Sequence, residues 1–172
     1  RVACVSDTVL IIDGHSMAFR AFYALPPDNF VTATGQHTNA VYGFVSMLTR
    51  LLETEQPTHV AVAFDVSRHS FRTEEYPEYK GTRDATPEEF KGQVELIREV
   101  LDAMGIVSLS REGFEADDIL ATLAYRAGND GATVLVVSGD RDSFQTVTDN
   151  VTVLYTSPIH ISPPPPSHPR TP

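Results

Sequence analysis

Short, unbroken apolar runs alternate along the chain with segments whose apolar residues recur at helical spacing. Three of the runs end in an aspartate. Val9-Leu10-Ile11-Ile12 leads into Asp13, His59-Val60-Ala61-Val62-Ala63-Phe64 into Asp65, and Thr133-Val134-Leu135-Val136-Val137 into Ser138-Gly139-Asp140. These runs are rich in β-branched residues, bounded by turn formers and apolar at nearly every position. That is the pattern of strands covered on both faces, as in a parallel sheet. Ile106 to Leu109 and Val151 to Tyr155 read as two further short strands. Val41, Phe44, Val45, Leu48, Leu51 and Leu52 form a stripe on a predicted helix over 39–53, and Phe90, Val94, Ile97, Val100, Leu101 and Met104 on another over 87–104. The second carries a start signal, with Thr86 as N-cap, Pro87 in the first helical position, Glu89 closing a capping box and Gly105 as the stop. Residues 116–127, closed by Gly128, predict a third helix, and 142–148 a short fourth. Strands alternating with helices predict an α/β fold with a mainly parallel sheet flanked by helices.

The alternation stops after Tyr155. Pro158, Pro163 to Pro166, Pro169 and Pro172 fall within the last sixteen residues, a composition that favours extended polyproline II or disorder. The expected organisation is therefore a single core over 1–156 and a proline-rich disordered tail over 157–172. As a ligand for an SH3 or WW module the tail is the alternative to an end without a partner.

Composition narrows the chemistry. The 172 residues suit one domain. The single cysteine, Cys4, excludes an internal disulfide, and no Cys/His cluster suggests zinc, so a reducing cytoplasmic compartment is expected. No apolar run is long enough for a signal segment or a membrane span. A net charge of −10 argues against a simple basic coat on nucleic acid. It is compatible with nucleic-acid enzymes that use carboxylates to hold metal ions.

The carboxylates are placed for that role. In an open parallel sheet the carboxyl ends of the strands form one edge, where ligands bind; Asp13, Asp65 and Asp140 all follow strands. Asp142 stands two residues beyond Asp140, and Glu115, Asp117 and Asp118 open the third predicted helix. Taken singly, each has a plain structural role: Asp13 as a turn or N-cap residue, Glu115, Asp117 and Asp118 beside a helix dipole, Asp140 and Asp142 in an Asx turn. Brought to one edge they would repel one another and raise each other's pKa. Mg²⁺ or Mn²⁺, which prefer carboxylate and water oxygens, would resolve that repulsion. Two such ions about 4 Å apart support phosphodiester hydrolysis. No P-loop, dinucleotide fingerprint or nucleophile elbow competes. His15, beside Asp13, is open between capping a turn and touching a substrate.

Between Asp65 and the second predicted helix lies a basic and aromatic segment. Arg68, Arg72, Lys80 and Arg83 interleave with Phe71, Tyr76 and Tyr79. Cations hold phosphates and aromatic faces stack on unpaired bases, so Tyr79, Lys80 and Arg83 are expected to contact substrate. The alternative is a solvated loop in which Glu74, Glu75, Glu78 and Asp84 offset the cations.

Taken in order, these segments resemble a known family. Ile12-Asp13-Gly14-His15-Ser16-Met17-Ala18-Phe19-Arg20-Ala21-Phe22-Tyr23-Ala24, Thr38-Asn39-Ala40-Val41-Tyr42-Gly43-Phe44, Ala63-Phe64-Asp65 and Phe71-Arg72 open the match. Tyr76-Pro77-Glu78-Tyr79-Lys80, Arg83, Thr86-Pro87, Gly113-Phe114-Glu115-Ala116-Asp117-Asp118 and Gly139-Asp140-Arg141-Asp142 complete it. The pattern is similar to the 5′ nuclease (5′-3′ exonuclease) domains of bacterial DNA polymerase I, within the flap-endonuclease and PIN-like superfamily.

The resemblance implies a PIN-like, Rossmann-like three-layer domain. It also implies a divalent-metal-dependent nuclease in which metal-activated water attacks a phosphodiester at 5′ flaps and 5′ ends of DNA and at RNA-DNA primer junctions, in replication and repair. By resemblance, Asp13, Asp65, Glu115, Asp117, Asp118, Asp140 and Asp142 hold Mg²⁺ or Mn²⁺, Lys80 and Arg83 are catalytic, and Arg20, Arg68, Arg72, Tyr79, Lys80 and Arg83 bind DNA. A polymerase domain in the full-length protein, a monomer and a bacterial, nucleoid-associated location are further implications.

The family pattern continues beyond the last strand with a further aspartate segment for the second metal site and a helix–hairpin–helix element, neither of which this sequence has. The expectation is thus a C-terminally incomplete core with two ions and an incomplete second site; a catalytically weak remnant is the alternative. A shortened chain, a reading-frame change near Ser157 and a natural short product are three origins for such an end, and Arg1 in place of Met suggests a processed or incomplete start.

Overall fold

The computed structural model describes residues 7–66 and 86–155. Five strands, β1 (Thr8–Asp13), β2 (His59–Ala63), β3 (Val107–Leu109), β4 (Thr133–Ser138) and β5 (Val151–Tyr155), form one sheet in the order β3-β2-β1-β4-β5. Every neighbouring pair is parallel, with Asp13 opposite Ala63 and Ile12 opposite Val137. From β1 the chain builds outward through β2 and β3, then crosses back to add β4 and β5 on the other side. The crevice outside the carboxyl ends of β1 and β4 is therefore the topological switch point.

Strand alternation divides the core into two layers. Leu10, Ile12, Val62, Phe64 and Val137 face α1 (Gly14–Ala24), α2 (Asn39–Glu55) and α3 (Gln93–Ala103). Ile11, Ala63, Val134, Val136 and Val151 face α4 (Ala116–Asn129) through Ala116, Leu120 and Ala124. The result is helices, sheet, helix: the α/β fold read from the sequence. Among the described residues no helix is long and apolar enough to cross a membrane.

Three local expectations are corrected, and one helix was not foreseen. The helix α1 follows β1 without a loop; Asp13 ends the strand and caps the helix, and Met17, Ala18, Ala21 and Phe22 are its buried face. The start signal at Thr86-Pro87 produces only a 3₁₀ turn, Glu88–Phe90, and α3 begins at Gln93 after Gly92 turns the chain at φ 77°. Gly128 does not stop α4 but lies inside it, where Val151 packs closely: a Cβ there would stand 3.2 Å from Val151 Cγ2. The short fourth helix is a 3₁₀ stretch, Arg141–Thr146.

The late start of α3 has a visible cause. Gln93 is fully buried, and its Oε1 accepts the backbone N–H of Ala40 at 2.8 Å. It thereby caps the first turn of α2, for which Thr38 supplies no side-chain cap. Gln93 Nε2 donates to Asn39 Oδ1 and to the Glu89 carbonyl, while Asn39 Nδ2 donates to the carbonyls of Phe22 and Leu25. This buried amide pair joins the end of α1 to the starts of α2 and α3. Gln93→Leu strands several buried polar groups at once, so urea denaturation should show a loss of about 3 kcal/mol, with each orphaned group costing about 1–3 kcal/mol.

Candidate active site

Asp13 stands at the carboxyl end of β1 and is only 7% exposed. Its Oδ1 accepts the Ser16 N–H at 2.9 Å and its Oδ2 the Ser138 hydroxyl at 3.2 Å. Burial pushes its pKa up to about 6, with further upward push from the Asp117 and Asp65 carboxylates; the Ser16 and Ser138 hydrogen bonds oppose the rise. Three of the predicted carboxylates, from β1, the end of β2 and the first turn of α4, therefore share one electrostatic neighbourhood.

Asp65 Oδ1 accepts the Ala116 N–H at 2.6 Å, which draws the start of α4 against the end of β2. Its own N–H donates to His15 Nδ1 at 3.2 Å. The His15 ring stands edge-on to Phe64, and burial pushes it below the usual imidazole range against the opposing pull of Asp65. Since Nδ1 accepts a backbone N–H, the neutral ring carries its proton on Nε2. The 3.8 Å approach of the Asp65 carboxylate to Nδ1 is too long for a hydrogen bond.

Glu115 and Asp118 form the capping box of α4, with Asp118 Oδ2 accepting the Glu115 N–H at 3.0 Å. Asp140, just beyond β4, accepts the Asp142 N–H at 3.0 Å, and its own N–H donates to Ser138 Oγ at 3.0 Å. The helix-start and Asx-turn roles foreseen for these carboxylates are thus real, and they coexist with their position at the strand ends. Among the described residues, no three His, Cys, Asp or Glu side chains stand close enough to hold one ion. The half-buried Arg20 lies one turn beyond Ser16 on α1, and its Nη1 is buried without a hydrogen-bond partner. Arg68, Arg72, Tyr79, Lys80 and Arg83, like the tail over 157–172, lie outside the described residues.

Phe64, fully buried, packs beneath the first turn of α1. A Cβ on Gly14 would fall 2.4 Å from its ring, and Arg98 of α3 lies over the same ring at 4.6 Å. Gly14→Ala must displace this buried aromatic; thermal unfolding should register a loss of about 1–3 kcal/mol, the usual range for overpacking. Arg98, Ser16 and Ser138 were not singled out in the sequence. The two serines do leave a signal: Ser16 falls three residues after the strand-ending Asp13, and Ser138 two residues before Asp140.

The sequence pattern of the 5′-3′ exonuclease, N-terminal resolvase-like domain matches residues 8–164. The chain belongs to this family. The match extends past Tyr155 into the proline-rich stretch. The chain is 61% identical over 148 residues to DNA polymerase I of Mycobacterium tuberculosis, covering 86% of this chain and 16% of that protein. DNA polymerase I of Streptococcus pneumoniae is 51% identical, covering 85% of this chain and 17% of its own length. The chain thus spans about one sixth of these curated relatives. Among solved structures, zinc-bound bacteriophage T5 5′-exonuclease superposes with a TM-score of 0.64 at 25% identity, over 85% of this chain and 54% of the phage protein. A complex of the bacteriophage T5 flap endonuclease with DNA and metal ions superposes over the same shares, at a TM-score of 0.59 and 25% identity. In this exonuclease family member the switch-point crevice and the cluster around Asp13 coincide.

Proposed function

We propose that this domain is the core of a divalent-metal-dependent 5′-3′ exonuclease and 5′ flap endonuclease that hydrolyses phosphodiester bonds in DNA. The observation that carries the reading is Asp13: a carboxylate buried at the switch point, pushed toward neutrality by burial and by Asp117 and Asp65. Such a set is costly as bare anions and favourable around a hard cation. The donors fit, since they are carboxylate oxygens and the nearest imidazole nitrogen, His15 Nδ1, already accepts a backbone N–H. The zinc- and DNA-bound phage relatives support the same assignment.

Asp13, Asp65, Glu115, Asp117, Asp118, Asp140 and Asp142 would hold Mg²⁺ or Mn²⁺, as two ions with the second site incomplete. When bound, such ions activate the attacking water and neutralise charge on the phosphate. The chain's own residues do the rest. Asp13, fixed through both oxygens, keeps one orientation. Arg20, half-buried on α1 one turn beyond Ser16, would contact a substrate phosphate through its guanidinium. Lys80 and Arg83 would neutralise charge developing in the transition state, with Arg68, Arg72 and Tyr79 holding the single strand.

DNA with 5′ ends or flaps and RNA-DNA primer junctions are the substrates in this reading. A fused polymerase domain is the partner suggested by the relatives, and a monomer in the bacterial cytoplasm, at the nucleoid, is the working state. A second reading, a chain that folds and binds metal or DNA without cutting, is favoured by the lack of three closely grouped ligands among the described residues. Incubating the chain with a 5′-labelled flap duplex and Mg²⁺ or Mn²⁺, with Asp140→Ala as the blank, separates the two. Metal-dependent release of short 5′ fragments by the wild type alone supports the nuclease.

A further inference from the structure

We infer that His15 and Ser16 form a two-armed clamp that sets the positions of Asp65 and Asp140 on either side of Asp13. The inference rests on the metal reading above and adds two positioning residues to it. The central strand β1 lies between β2 and β4, and the carboxylate-bearing loops leave those two neighbours. Each loop is tied by a backbone N–H to one of two consecutive side chains in the first turn of α1. His15 Nδ1 accepts the Asp65 N–H at 3.2 Å, and Ser16 Oγ accepts the Gly139 N–H at 2.9 Å. The turn itself is held by Asp13, whose Oδ1 accepts the Ser16 N–H.

One short helical turn therefore references both loops to the same carboxylate. The bonds span 50 and 123 residues of sequence, so neither is a local turn feature. A backbone N–H is present whatever the residue, whereas the acceptor exists only because His15 and Ser16 occupy these positions. Gly14 lets the turn sit directly over Phe64, against whose ring His15 then packs. Removing one arm takes away one of the ties on its loop and leaves the core intact; Asp65 keeps its bond to the Ala116 N–H and Asp140 its bond to Ser138 Oγ. The separation of the carboxylates then widens its distribution, and a cation that needs ligands from both sides of Asp13 binds less tightly.

The test uses the full 172-residue chain. Mn²⁺ affinity is measured for the wild type, His15→Ala, Ser16→Ala and the conservative variants His15→Asn and Ser16→Thr. Amide hydrogen exchange is followed in the same samples without metal. Each alanine variant should bind Mn²⁺ about tenfold more weakly, at the lower end of outer-shell effects, while its metal-free melting temperature stays close to that of the wild type. The Asn and Thr variants, which restore an acceptor, should recover most of the affinity. His15→Ala should unprotect only the Asp65 amide and Ser16→Ala only the Gly139 amide. Rapid exchange of both amides in the wild type, which needs no variant to fold, would overturn the clamp. Alanine variants that bind Mn²⁺ as the wild type does, or conservative variants as weak as alanine, would also overturn it. A wild type with both amides protected and no Mn²⁺ binding would instead overturn the metal reading, and the positioning role with it.

Discussion

Asp13→Asn is expected to make the metal-free chain more stable above neutral pH while removing its response to divalent cations. The folded chain holds the Asp13 proton up to about pH 6, against an ordinary value of 3.8. Between those values the native state binds more protons than the unfolded state, so stability falls as pH rises through the window and the full penalty is present above it. At about 1.4 kcal/mol per pKa unit the penalty amounts to about 3 kcal/mol. Below about pH 4 the penalty should vanish for the wild type. Asparagine carries no charge, so the variant should show little of this slope in urea denaturation between acid and neutral pH. Adding Mg²⁺ or Mn²⁺ should stabilise the wild type, by about 2.7 kcal/mol at a hundredfold excess over Kd, and leave the variant nearly unmoved. A wild type whose stability is flat with pH and indifferent to metal would refute the convergence of carboxylates at this edge.

Asp140→Ala is expected to abolish most cleavage of a 5′ flap at little cost to the fold. Asp140 is exposed just beyond β4, and among the described residues its side chain accepts the Asp142 N–H. Losing that cap should cost about 1 kcal/mol. Its carboxylate, however, belongs to the set proposed to hold the ions, whose transition-state stabilisation is worth several kcal/mol. Each 1.4 kcal/mol is about a factor of ten in rate. Single-turnover rates should therefore fall by about two orders of magnitude or more, with the melting temperature nearly unchanged. A fall of only severalfold would place Asp140 outside the reacting set.

The sheet was legible because burial on both faces leaves an almost unmixed apolar run, and β1, β2 and β4 each carry one ending at a turn. Parallel topology places Asp13 and Asp65 at one edge because both follow strands, and Asp117, in the first turn of α4, joins Asp65 in raising the pKa of Asp13. What escaped was set by long-range contacts. The apolar positions Met17, Ala18, Ala21 and Phe22 carry a helical spacing, but the polar opening at Gly14-His15-Ser16 masks the start of α1. Thr86-Pro87 is a sound local start signal, overridden when Gln93 is drawn inward to cap α2 across more than fifty residues of sequence. Ser16 and Ser138 look like turn formers by composition; their work on Gly139, Asp13 and Asp140 is seen only once β1 and β4 lie side by side.

The central claim is that Asp13 anchors a divalent cation at the switch point. Calorimetric titration of Mn²⁺ into the chain near pH 6, repeated in buffers of different ionisation enthalpy, measures binding and proton release together. The account predicts saturable binding that displaces a fraction of a proton from the wild type, with both the affinity and the proton release lost in Asp13→Asn. Absence of binding, or proton release that persists unchanged in Asp13→Asn, would contradict it.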